Sequence, residues 1–250
     1  MTEGFDAGYA MPPLIVIIVG VALVAVVVAF APPARSRSLF VGVLASLILW
    51  GLAVLGMRLS GEPRTALAWN RWTPVAIYLM FLFFYLFARE YTRARGERRF
   101  LVACYTVLAF AILAAPMGFL VKDLRVEPYG YAPVPGVLAI PLGAVGLVVF
   151  SAAIRTLVHR YRVTTSDEER TRLLYLIAAA CFPFVGALLD IASNLPPVGI
   201  WANLVFCATC SIALLEYRLL DIPQVARRTL TYLVLGVMVA LPYVLTLLVL

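Results

Sequence analysis

Eight apolar stretches, each about long enough to cross a lipid bilayer, alternate with short polar segments along the 250-residue chain. A hydrocarbon core about 30 Å thick needs roughly 20 helical residues, and open strands cannot satisfy their backbone groups in lipid. The pattern therefore predicts an all-α membrane protein, a polytopic bundle of about eight transmembrane helices. The predicted spans are residues 14–31, 39–57, 73–88, 100–121, 137–158, 173–195, 198–215 and 229–250.

The composition independently excludes a soluble globular protein. Hydrophobic residues make up 64% of the chain and charged residues 13%, and the mean hydropathy is +0.99. The longest predicted loops, residues 58–72 and 155–172, are far shorter than the roughly 50 residues that a domain with its own core requires. We therefore expect an integral membrane protein with no catalytic domain within these residues.

The arginines predict the orientation, because cytoplasmic loops of membrane proteins carry the excess of positive charge. Of the 20 lysines and arginines, 15 lie in the first, third, fifth and seventh loops. We place these loops in the cytoplasm and the N-terminus outside. The net charge of +7 then reflects topology and attraction to anionic lipid headgroups rather than binding of nucleic acid.

Small residues spaced four positions apart mark places where two helices can approach closely. Such pairs are Ala25 with Ala29, Gly42 with Ser46, and Ala139 with Gly143. Each pair permits a close helix contact, and many such pairs in membrane proteins make none.

The polar residues inside the spans are the candidates for a binding site, since ionisable groups in the bilayer are costly. Asp190 lies one helical turn before Asn194, with Ser193 adjacent and Asn203 early in the next helix. One interpretation is a hydrogen-bonded staple between two antiparallel helices. The other is a polar floor for a ligand pocket that opens to the outside, with Trp201 beside it as a pocket residue or an interfacial anchor.

Residue types that often bind metals or cofactors do not form a site in this sequence. Cys207 and Cys210 form a C-x-x-C pattern in the middle of an apolar span, where cysteines behave as small hydrophobic residues. A single histidine, His159, lies among arginines at a helix end, and the single lysine, Lys122, also lies at a helix end. We expect no metal and no cofactor.

The segment after the seventh span is the most specific part of the sequence, and the helical hairpin before it adds further positions. The informative positions are Glu216 to Ile222, Val225, Arg227, Arg228 and Thr229 to Tyr232, preceded by Arg172 to Tyr175, Gly186 to Asp190, Pro196, Gly199 and Asn203. With these residues the region resembles the N-terminal, seven-transmembrane sensor region of bacterial membrane-bound histidine kinases. The similarity covers roughly residues 100–228 well and the first three spans only in pattern.

The resemblance implies a sensory input region in the bacterial cytoplasmic membrane that transmits a small-molecule, lipid or membrane-state signal to a cytoplasmic effector. It divides the chain into a seven-span sensor bundle, residues 1–228, and an eighth helix, residues 229–250, which begins a further hairpin. A ninth helix and a soluble signalling module would then come after residue 250. The expected partners are the lipid bilayer, a small-molecule or lipid ligand, and a second copy of the chain bound through helix packing.

The seventh loop has features that suit signal transmission. Its aromatic and basic side chains can hold it at the headgroups, and its acidic residue can pair with an arginine. An ordinary charged loop would look similar. The loop residues that we assign to transmission are Glu216, Tyr217, Arg218, Asp221, Arg227 and Arg228.

A transporter or permease is the alternative to a sensor. In that case the cluster around Asp190 would coordinate a substrate or a proton. The two functions predict different sequences after residue 250, since a transporter would continue with more spans.

Overall fold

A computed structural model describes residues 7–94, 97–127, 130–192 and 198–216 of the chain. Five stretches of helix in this part are long and apolar enough to cross a membrane, which confirms the predicted class of all-α membrane protein. The predicted span 229–250 lies outside the described residues. The elements are α1 (Ala7–Phe30), α2 (Arg35–Leu59), α3 (Pro63–Asn70), α4 (Thr73–Thr92), α5 (Arg98–Ala114), β1 (Val121–Glu127), β2 (Gly130–Pro135), α6 (Ala139–Val163), α7 (Asp167–Ala192) and α8 (Val198–Glu216).

Six of the helices form a closed ring. Along this ring α1 packs against α2, α2 against α4, α4 against α6, α6 against α7, and α7 against α8, which returns to α1. The 17-residue helix α5 lies outside the ring against α4 and α6. It leaves apolar side chains such as Val102, Phe110 and Leu113 exposed, as expected for a helix that faces lipid.

Glycines allow neighbouring helices of the ring to approach closely. A Cβ atom built on Gly42 of α2 would lie 2.5 Å from the ring of Phe83 on α4, so only glycine fits there. Ser46, one turn later, is buried and donates a hydrogen bond to the Gly42 carbonyl at 2.8 Å. The predicted contact at Gly42 and Ser46 is therefore confirmed. Gly143 makes no such contact, because no described atom of a neighbouring element lies within 4 Å of a Cβ built there.

The fourth predicted span, residues 100–121, is shorter than expected. Its helix α5 ends at Ala114, and residues 121–127 form a β-strand. Pro116 cannot donate a helical hydrogen bond, and Gly118 has a φ of +80°, which L side chains rarely adopt. These two residues end the helix and turn the chain. The apolar run hid this break because Met117, Phe119 and Leu120 continue it without an interruption in hydrophobicity.

The predicted loop between the fourth and fifth spans contains a β-hairpin. Strands β1 and β2 pair in antiparallel fashion from Val121 with Pro135 to Glu127 with Gly130. Leu124 and Tyr131 pack against the core of the bundle. The hairpin also contacts α3, a short helix within the predicted loop 58–72. We call the end of the ring that carries α3 and the hairpin the hairpin face.

Most of the arginines that the structure describes lie at the opposite end of the ring. We call this end the arginine-rich face. Arg35 at the start of α2 lies 3.7 Å from the Glu90 carboxylate at the end of α4. The Arg172 guanidinium in the first turns of α7 interacts with the Tyr91 hydroxyl of α4. The starts of α2 and α7 and the end of α4 therefore meet on one side.

Candidate functional site

Two residues of the predicted cluster lie in neighbouring helices, Asp190 in α7 and Asn203 in α8, and these helices pack against each other. A Cβ built on Gly186 of α7 would lie 2.6 Å from Ala202 Cβ and 2.8 Å from Gly199 Cα on α8. The two helices therefore approach closely at a point one turn before Asp190 and next to Asn203. Asp190 follows Gly186 by four positions, about one turn, in α7.

Substitution of Gly186 tests this close approach. We expect Gly186→Ala to lower the free energy of unfolding by about 1 to 3 kcal/mol, because the added methyl group forces the helices apart. The matched control is Gly143→Ala on α6, where there is open space. It should change stability by less than about 1 kcal/mol, in the favourable direction that helix propensity predicts. Reversible unfolding by SDS in mixed micelles measures both, and equal effects would contradict the packing.

Of the two predicted site residues whose side chains the structure describes, Asn203 and Trp201, only Asn203 lies in the interior. It is 0% exposed, and within the described part of the chain neither atom of its amide group has a hydrogen-bond partner. A buried amide without a partner is destabilising, so a polar group that completes it is expected nearby. Both proposed uses of this cluster, a staple and a ligand pocket, supply such a group.

Trp201 lies on the other side of α8. Its side chain is 57% exposed, and two positions along an α-helix correspond to about 200° around its axis. The structure therefore does not bring Trp201 and Asn203 together. The exposed indole has the position of an interfacial anchor.

The remaining predicted site residues are described only in part. Asp190 lies in α7 and Glu216 ends α8, and the described features of both are limited to the backbone. The others lie outside the described residues, so their roles stay predictions. They are Ser193 and Asn194 in the cluster, and Tyr217, Arg218, Asp221, Arg227 and Arg228 in the seventh loop.

An aromatic cluster that the sequence did not reveal joins three helices of the ring. Phe150 of α6 and Phe184 of α7 stack with ring centroids 4.3 Å apart and planes 4° apart. Phe81 of α4 lies 5.5 Å from Phe150 and 5.9 Å from Phe184, and Phe84 adds a fourth ring 6.2 Å from Phe150. The sequence did hold one signal of this cluster. Phe81 and Phe84 are three positions apart, and this spacing places both on one face of α4.

Helix α7 connects this aromatic cluster to the interface with α8. Phe184 points to α4 and α6, whereas Gly186, about 200° further around the axis, contacts α8. Pro183 lies directly before them inside the helix. It cannot donate the backbone hydrogen bond to Ala179, so this point of α7 bends more easily than a regular helix.

The start of α7 carries a network of charged side chains on the arginine-rich face. Arg160 Nε of α6 lies 2.7 Å from Glu169 Oε1 of α7, and the Thr164 hydroxyl donates to the same carboxylate. Arg172 pairs with Glu168 one turn earlier. The contacts of Glu169 join the end of α6 to α7, and because these groups are partly exposed we expect each ion pair to contribute about 1 kcal/mol or less to stability.

The cysteines of the C-x-x-C pattern lie in the core of the bundle. Cys207 and Cys210 of α8 are both buried, and neither is part of a disulfide. Within the residues that the structure describes, no group of three or more histidine, cysteine or acidic side chains is placed to hold a metal ion.

Together, the ring of long apolar helices and its charged face define a polytopic α-helical membrane protein. A family model described as the N-terminal 7TM region of histidine kinase matches residues 13–224, and the chain belongs to this family. The resemblance inferred from the seventh loop and the preceding hairpin is thereby confirmed. No curated protein sequence matches the chain.

Proposed function

We propose that this chain is the membrane-embedded sensory input region of a bacterial two-component sensor histidine kinase. The observation that carries the proposal is the family match over residues 13–224. It favours a sensor over the alternative of a transporter or permease. The stimulus that we propose is a small molecule, a lipid or a state of the membrane that changes how the helices pack, and the output is a cytoplasmic kinase module.

Helix α7 is the element that would carry the signal. Its outer part holds Asp190 beside α8, its middle holds Phe184 in the aromatic cluster, and its first turns hold Glu169 and Arg172 in the charged network. A ligand at the Asp190 cluster would shift α7 against α8, and Pro183 would let the helix bend. The movement would reach the arginine-rich face and continue through the seventh loop, residues 217–228.

Autophosphorylation of the full-length protein in native membranes tests the proposal. We expect incorporation of phosphate from ATP, and Glu169→Gln should change its level by about fivefold, because this variant loosens α7 from Arg160. Stability should change by less than about 1 kcal/mol, since the ion pair is partly exposed. The control is Glu127→Gln in the hairpin, which removes an ion pair with Arg125 far from the kinase side. Absence of phosphorylation would refute the kinase output.

The proposed orientation places the arginine-rich face in the cytoplasm and the N-terminus outside. A cysteine introduced as Ser166→Cys, between α6 and α7, should therefore react with an impermeant maleimide only after the membrane is opened. Asp123→Cys in the hairpin should react in sealed cells. Labelling of the Ser166 variant from outside would reverse the orientation.

We propose three kinds of partner for this region. The first is the lipid bilayer around the ring, and the second is the small-molecule or lipid ligand. The third is another copy of the chain, bound through helix packing. The apolar outer surface of α5 supports either lipid or a second copy as its neighbour, because side chains such as Phe110 and Leu113 are exposed there.

A further inference from the structure

An apolar patch lies at the base of the β-hairpin, where the chain leaves α5 and where it enters α6. We call residues 115–120 and 136–140 the hairpin base. Met117, Val137 and Ile140 have 67%, 78% and 75% of their surfaces exposed, and the ring of Phe119 is also exposed. A contiguous apolar surface of this kind marks contact with another protein or with a membrane.

Backbone hydrogen bonds hold the two segments of the hairpin base together. The Gly136 N–H donates to the carbonyl oxygen of Leu120 at 2.9 Å, and the Leu138 N–H donates to that of Phe119 at 3.0 Å. Only glycine fits at position 136, since a Cβ atom built there would lie 2.2 Å from the Phe119 carbonyl oxygen. The exposed side chains of the two segments, such as Phe119 and Val137, are therefore neighbours.

The patch continues the faces of α5 and α6 that point away from the bundle. Met117 follows the exposed Leu113 by four positions, and Ala115 between them still has helical backbone angles, φ −58° and ψ −54°. Ile140 precedes the exposed Leu147 by seven positions on α6. Both spacings keep side chains on one face of a helix. Lipid that covers α5 and α6 is therefore continuous with the hairpin base.

The lengths of α5 and α6 indicate how far the lipid extends. On the arginine-rich face α5 begins at Arg98, and α6 carries the exposed Arg155. From these charges to the hairpin base, α5 and residues 139–154 of α6 each cover about 25 Å at 1.5 Å per residue. The hydrocarbon core of a bilayer, about 30 Å thick, exceeds both lengths. The remaining thickness falls on the hairpin base, which the first charged residue of β1, Lys122, follows.

The backbone of the hairpin base suits the boundary of a bilayer, because irregular backbone near lipid needs hydrogen-bond partners within the protein. The carbonyl oxygen of Pro116 accepts a hydrogen bond from Arg71 Nη1 at 2.8 Å. That of Gly136 accepts one from the Ala139 N–H at 3.1 Å. With the two bonds between the segments, four carbonyl groups of the base are paired within the protein.

We infer that the hairpin base lies in the boundary of the adjoining lipid leaflet, where acyl chains cover Met117, Phe119, Val137 and Ile140. The partner of this surface is thus the lipid itself, and the hairpin is held against the membrane by its base. A base surrounded by water, or covered by a second copy of the chain, is the alternative outcome of the test. The inference depends neither on the proposed kinase output nor on which face is cytoplasmic.

Spin labels measure the surroundings of each side chain. The chain carries Cys181→Ala, which removes its exposed cysteine, and a nitroxide at Met117→Cys or at Val137→Cys, in phosphatidylcholine liposomes. Electron paramagnetic resonance compares collisions with oxygen, which dissolves in hydrocarbon, and with a hydrated nickel chelate, which hydrocarbon excludes. Both positions should give an oxygen-to-nickel ratio about fivefold or more above that of Asp123→Cys in β1, because polar solutes do not enter lipid.

Phe110→Cys on α5 is the lipid control. Phe110 is exposed and precedes Met117 by about 10 Å along the helix, so its ratio should exceed those of both base positions. Circular dichroism checks that each labelled variant keeps its helices, and if one base variant loses them, the other position decides.

The inference is overturned if the base positions collide with nickel as often as position 123, since they would then lie in water. It is also overturned if neither reagent reaches them, or if their spectra show spin–spin broadening that unlabelled chain removes on dilution. A second copy of the chain would then cover the patch.

Discussion

Replacing Phe184 with alanine is expected to lower the free energy of unfolding by about 2 to 4 kcal/mol, the largest stability effect that we predict for a single residue. Phe184 stacks on Phe150 and contacts Phe81, so its removal leaves a cavity where α4, α6 and α7 meet. Lipid tails are as apolar as the core, so the hydrophobic effect contributes little to helix association. The loss therefore comes mainly from packing and from the aromatic contacts.

The control for this prediction is Phe110→Ala on α5. Phe110 is 56% exposed, so its removal opens no cavity in the bundle. Reversible unfolding by SDS in mixed micelles measures both variants under identical conditions. Equal stability of the two would mean that the aromatic cluster does not hold the three helices together.

The sequence was sufficient for the fold class, the family and most helix positions, because length and hydrophobicity decide whether a segment can span a bilayer. It did not show where α5 ends. Pro116 and Gly118 lie inside a continuous apolar run, and the following strands carry no apolar alternation strong enough to stand out. The hairpin forms because it packs against α3 and the bundle, and that is a tertiary contact.

The candidate sites were harder to predict than the spans. The hydropathy of a span does not reveal how its helix is rotated about its axis. The stacking of Phe150 on Phe184 could therefore not be predicted from the sequence of α6 or α7. Asn70 falls in a stretch that the sequence predicts to be a loop, and its burial results from the contact between α3 and α2. Asn203 was found from the sequence because a polar residue within an apolar span is conspicuous on its own.

Replacing Asp190 with asparagine is the second prediction with a large expected effect. If the cluster binds a ligand, this change should abolish signalling by the full-length protein, measured as autophosphorylation, because it removes the only negative charge predicted within the spans. Membrane abundance and stability should stay normal, since an amide keeps most of the hydrogen bonds of a carboxylate. The measurement is phosphate incorporation at matched protein levels.

A double-mutant cycle separates this ligand site from a structural staple. Asp190→Leu should cost about 1 to 2 kcal/mol by leaving the buried Asn203 amide without a polar neighbour. Combined with Asn203→Leu, it should cost less than the sum of the two single changes, because both partners are then apolar. Additive costs would show that the two residues do not interact. Wild-type signalling in both Asp190→Asn and Asp190→Leu, together with a coupled cycle, would leave the cluster as a staple and exclude the pocket.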